Sequence, residues 1–142
     1  MNKIFSILII ALSFSLMSAI STNEWTTKVE LNGVVISQKV AKCSTQYNTA
    51  ENDYFVFKYK NSNNYNVRVT YKIELWVGEN CRSCDLQSPN EYEISIDIKA
   101  GETLEYACSD DNHGFKLFKS SPAMKNNDKI SFKFVDLKIN KI

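Results

Sequence analysis

The sequence predicts an all-β fold, an antiparallel two-sheet sandwich of seven or eight strands. Three observations carry this. Apolar residues alternate with polar ones at a period of two in segment after segment, and strand side chains point alternately to opposite faces. Turn-forming Asn, Gly, Ser and Pro separate these segments. No window of helical length repeats its apolar residues at 3.6, and there are no internal repeats.

In chain order, residues 1–21 read as a signal peptide. Lys3 gives a positive start, Ile4 to Leu16 an apolar run, and Ala19 and Ser21 the small residues a peptidase reads. The run is short for a membrane span and no charged stop follows it. Residues 22–142 then form one sandwich domain, exported to the periplasm or beyond. Trp25, Thr27, Val29 and Leu31 share a parity, Asn32-Gly33 follows, and Val34 to Cys43 is the second strand. Asn-Gly between alternating runs marks a tight hairpin, because both residues tolerate positive φ. Ser44 to Asn52 is polar and reads as a loop. Asp53 to Lys60 is a third strand with Phe55, Phe57 and Tyr59 inward.

The best-defined stretch is Asn66 to Cys84. Val67, Val69, Tyr71, Ile73, Leu75 and Val77 face one way, Arg68, Thr70, Lys72 and Glu74 the other, and a Cys-x-x-Cys turn comes directly after. Pro89 belongs to a loop. Glu91 to Lys99 is a strand with Tyr92, Ile94, Ile96 and Ile98 inward. Ala100-Gly101 turns the chain into a strand over Glu102 to Cys108. A polar loop, a short strand at Phe115 to Phe118 and a Pro122 loop follow. Ile130 to Ile139 closes the chain, and its inward parity changes from even to odd. A β-bulge near Phe134-Val135 accounts for that change. Short strands with turns between them fit an immunoglobulin or fibronectin type of sandwich; a small barrel is the alternative.

Charge restricts the partners. Of 17 basic residues Lys3 lies in the leader, leaving 16 against 16 acidic ones. A neutral chain has no field to gather nucleic acid or anionic membrane. Only Arg68 and Arg82 are arginine, so bidentate phosphate recognition has few candidates. No Asn-x-Ser/Thr acceptor occurs, which fits bacterial export.

Four cysteines in an exported chain predict disulfides at Cys43, Cys81, Cys84 and Cys108. If successive strands run up and down, the second, fourth and sixth end at one pole, and the sulfurs collect there. Of the three pairings, the expectation is that Cys81 and Cys84 each reach a distant partner, Cys43 or Cys108. Closing a ring of forty residues stabilises by roughly 4 kcal/mol in the chain-entropy model, against about 2 for Cys81 to Cys84. Cys43 lies on the outward parity of its strand and Cys108 on the inward parity of its own, so the strand ends must twist. The sharper readings are a redox Cys-x-x-Cys, which wants a helix N-terminus at the first cysteine, and a zinc site of four Cys or three Cys with His113. Neither is preferred, and no cofactor or metal is expected.

Other candidates have bland readings. Ser109, Asp110 and His113 share one loop, which cannot supply a catalytic triad's separate elements. Asp110, Asp111 and Asn112 offer oxygens to calcium, but Gly114 falls where a ligand belongs. Glu74, Glu91, Glu93 and Asp97 read as polar strand faces rather than paired catalytic carboxylates. Trp76, Tyr54 and Val56 sit on the polar parity of their strands. An exposed aromatic patch at Trp76 and Tyr54 would take a protein or glycan partner; the plainer reading has Trp76 covered by the Cys81–Cys84 loop.

Cys43, Asp53 to Lys58, Asn61 to Tyr71, Glu74-Leu75-Trp76, Cys81-Arg82-Ser83-Cys84, Ala100-Gly101-Glu102 and Cys108 together resemble a group of small exported bacterial proteins. The resemblance implies an immunoglobulin-like exported domain and brings no catalytic residue with it. The function expected is that of a non-enzymatic sandwich binding a partner or serving the envelope, with metal or redox use of the cysteines as the alternative.

Overall fold

A computed structural model describes residues 24–45, 48–108, 116–125 and 128–142. The leader and the loop holding Asp110, Asp111, Asn112 and His113 lie outside the described residues. The described residues are all-β, with nine strands in two antiparallel sheets: β1 (Thr26–Leu31), β2 (Val34–Thr45), β3 (Asn48–Asn61), β4 (Val67–Val77), β5 (Asn80–Cys81), β6 (Glu93–Ile98), β7 (Thr103–Glu105), β8 (Lys116–Ser120) and β9 (Ile130–Lys141). The strand beyond the expected eight is β5, two residues long.

Sheet one is the meander β1-β2-β3, with β7 and β8 taking successive stretches of the far edge of β3. In sheet two β9 runs the length of β4, while β6 and β5 pair successive stretches of its other edge. The β1–β2 hairpin forms as expected, Asn32 and Gly33 both having positive φ (47° and 74°). A Cβ on Gly33 would fall 2.5 Å from Asn63 Oδ1. The expected loop at Ser44 to Asn52 is instead a continuation of β2 and β3, whose pairing runs from Val34↔Asn61 to Thr45↔Asn48. A polar sequence does not forbid pairing where a long hairpin carries the ladder outward.

The core is built by the inward parities of both sheets. Phe57, Tyr59, Ile36 and Val34 come from sheet one, and Val67, Val69, Ile73 and Ile98 from sheet two, all at most 2% exposed. Phe132 and Phe134 of β9 meet Phe57 edge-on at 5.4 and 5.6 Å, a favoured aromatic geometry. The hydroxyls of Tyr59 and Tyr71 hydrogen-bond each other across the core. Burial, first of all, pushes both phenols above their ordinary range.

The parity change in β9 is a bulge one to two residues past the expected place. Thr70 pairs Lys138 and Lys72 pairs Val135, and Asp136 in the unpaired stretch has φ 54°. Val135 stays outward beside Lys72, and the inward set resumes at Leu137.

Candidate functional site

At the end of the sandwich opposite Asn61 a cleft of about 790 Å³ opens between the inward face of sheet one and the first half of β9. This lies within the range of small-molecule sites, roughly 300–1,000 Å³. Val29, Phe55, Met124, Ile130, Phe132 and Phe134 give it apolar surface. Each comes from an element whose parity turns that residue inward, apart from Met124, which the β8–β9 connection supplies. Lys28, Lys119, Lys125, Lys129 and Lys133 also line it, against one carboxylate, Asp128. Among the described residues Lys28, Lys125 and Lys129 make no ion pair.

Gln38 lines the same cleft. It is an inward residue of β2, cross-strand from Phe57. Its Oε1 is buried and finds no hydrogen-bond partner among the described residues, which costs about 1–3 kcal/mol for a group of this kind. At one margin Asp53 accepts hydrogen bonds from Ser120 (3.0 Å) and Lys42 (3.3 Å). Burial alone would raise its carboxyl, but those bonds and the charges of Lys42 and Lys119 hold it below its usual value. Lys119 is 4.0 Å from Asp53, so part of its charge is already answered.

The residues singled out from the sequence fall elsewhere. Trp76 is half-buried on the outer face of sheet two, cross-strand from Cys81, with Lys133 Nζ 5.5 Å from its ring. Its indole N–H is buried and finds no hydrogen-bond partner among the described residues. Tyr54 is half-buried on the outer face of sheet one, edge-on to Phe118 at 5.6 Å, with Lys116 Nζ 5.3 Å above it. The two rings are thus on opposite faces of the sandwich and form no common patch. Val56, which shares the outward parity of Tyr54, is fully buried there. An unforeseen aromatic is Trp25, held between Lys39 and Lys58 at 4.4 and 4.5 Å.

All four cysteines are bridged, but the expected pairing is wrong. The bridges are Cys43–Cys108 and Cys81–Cys84. Cys43 shares the outward parity of Val35 and Lys39, so it points away from sheet two. Stacked sheets lie roughly 10 Å apart, beyond the reach of a bridge whose Cα atoms here stand 5.3 Å apart. The ring-size comparison ignored that facing. Among the described residues no three His, Cys, Asp or Glu gather as a metal site.

The cleft was not readable in advance, because its lysines come from β1, β8, β9 and the β8–β9 connection. The one usable signal was Gln38, a polar residue on the inward parity of an otherwise apolar strand. Comparison with protein-family models, curated proteins and solved structures finds no match for this chain. No helix among the described residues is long and apolar enough to cross a membrane.

Proposed function

We propose that this chain is an exported, non-enzymatic binding protein whose cleft takes a single-chain amphiphile with an anionic head. The observation that carries the reading is a cleft with apolar walls, lined by Lys28, Lys125 and Lys129 with no ion pair among the described residues and by one described carboxylate, Asp128. Apolar walls favour a hydrocarbon tail at about 25 cal/mol per Å² removed from water, and the unpaired ammonium groups favour a carboxylate or phosphate head. Export rests on the leader-like segment 1–21, and two bridges fit an oxidising compartment. The kinship with small exported bacterial proteins, and the description as immunoglobulin-like, belong to the same proposal; the latter leans on the two-layer antiparallel build rather than on strand order. Asp97 sits in a bidentate pair with Arg68 (2.6 and 2.7 Å) and Glu93 lies 3.6 Å from Lys72, which supports reading those carboxylates as strand-face groups and the protein as no enzyme.

The test is calorimetric titration with dodecanoate and, separately, with dodecanol. Dodecanoate should bind, dodecanol should bind at least about tenfold more weakly, and Lys125→Glu with Lys129→Glu should erase most of that preference. Equal affinity for the two, or no heat with either, overturns the reading.

A second reading, a protein or glycan partner on an outer face, is favoured by one observation, the half-buried Trp76 ring on the outer face of sheet two. A partner using it would lose affinity on Trp76→Ala with the melting temperature unchanged; capture by the variant as efficient as by the parent would dismiss the site.

A further inference from the structure

The two bridges hold very different things. Cys43–Cys108 joins residues 65 apart, with Cys43 only 3% exposed. Cys81–Cys84 joins residues 3 apart, Cys81 half-buried and Cys84 exposed. The loop it closes is fastened without it, by the two residues between the sulfurs. The Arg82 N–H donates to the Leu75 carbonyl at 2.7 Å. The Ser83 hydroxyl donates to the Ile73 carbonyl at 2.7 Å and accepts from the Leu75 N–H at 2.8 Å. Ser83 is itself buried. The loop conformation is therefore dictated by hydrogen bonds to β4, and the sulfur–sulfur bond is redundant for holding it.

A second feature concerns the sulfurs. The Cys84 backbone N–H points at Cys81 Sγ at 3.1 Å. A donor in that position stabilises negative charge on Cys81 sulfur, the role a helix N-terminus plays in other Cys-x-x-Cys motifs. Cys84, the more exposed residue, is thus the one open to attack, and Cys81, whose sulfur accepts the amide, is the better leaving group.

We propose that Cys81–Cys84 is a thiol–disulfide exchange site for cysteine-bearing peptides or small thiols. An incoming thiolate attacks Cys84 Sγ. The Cys81–Cys84 bond breaks, its electron pair leaving on Cys81 as a thiolate held by the Cys84 amide, and a mixed disulfide forms at Cys84. A second incoming thiolate attacks the incoming sulfur of that mixed disulfide and displaces Cys84. The incoming pair departs as a disulfide, two electrons stay on the protein, and water supplies the protons of its two thiols. The site lies outside the cleft and stands independently of the ligand reading.

The full chain is equilibrated in glutathione buffers of graded poise, quenched with acid, alkylated and mapped by peptide mass. Cys81–Cys84 should open while Cys43–Cys108 stays closed, with glutathione found on Cys84 over Cys81 by about tenfold or more. The selectively opened protein should keep most of its melting temperature, losing far less than protein in which Cys43–Cys108 is opened as well. Two single variants check the assignment: Cys81 in Cys84→Ser should alkylate near neutral pH several-fold faster than Cys84 in Cys81→Ser. Joint opening of both bridges, glutathione on Cys81, a loss of melting temperature as large as that from opening both bridges, or the reverse order of alkylation would each overturn the proposal.

Discussion

Two inward-facing carboxamides separate the two ends of this sandwich. At one end Asn61 is fully buried and saturated. Its Nδ2 donates to the carbonyls of Tyr65, Ile98 and Lys99, at 2.9, 3.3 and 2.9 Å, and its Oδ1 accepts from the backbone and side chain of Asn63. One side chain there ties the β3–β4 turn to the end of β6. At the other end Gln38 faces an open cleft with an orphaned oxygen. That half of β2 is secured covalently instead, by Cys43–Cys108, which ties it to the segment following β7. The lesson is that hydrogen bonding closes one end, while a bridge holds the other and leaves its interior open.

The contrast can be broken in order of expected effect. Replacing both Cys43 and Cys108 by Ser should cost about 4 kcal/mol, the loss expected for a ring of this size; urea unfolding measures it. A loss no larger than that for the Cys81/Cys84 pair would show that the bridge does not hold its end. Asn61→Ala should cost about 3 kcal/mol, since buried carbonyls lose their donor, and the loss should appear as fast amide exchange in the Asn61–Asn66 turn. Slow exchange there would mean that the turn needs no side-chain tie.

Between the ends lies the Tyr59–Tyr71 pair. Both phenols are neutral when folded and raised above their ordinary value, so the stability they contribute is full below pH 10. It should fall as pH rises past the unfolded value, by about 1.4 kcal/mol per tyrosine per unit. Tyr71→Phe should halve that slope; an unaltered alkaline unfolding curve would refute the assignment. Gln38→Leu should change stability least, by about 1 kcal/mol or less and in the stabilising direction, because it removes a buried unpaired acceptor. A fall in melting temperature would mean that the oxygen has a partner.

Strand parity made most of the fold legible. Every residue from Val67 to Ile73 on the inward parity is at most 3% exposed, and the Asn-Gly hairpin and the bulge in β9 were both signalled locally. The shared end of the second and fourth strands was also readable: Cys43 lies near the end of β2 and Cys81 just past the end of β4, both remote from Asn61. Bridge pairing was not, because the face each cysteine occupies decides it, and ring entropy carries no information on facing. Nor was the cleft, which gathers lysines from separate elements and depends on how the sheets overlap.

The left-handed Asp136 in β9 has one more consequence. β9 is twelve residues long and lies at the margin of sheet two, and such a margin invites recruitment by a neighbouring molecule. The bulge divides it into two short ladders of different register, so a foreign strand cannot zip along its whole length. The same residue that lets both halves of β9 bury their apolar side chains thereby guards the protein against fibrillar growth.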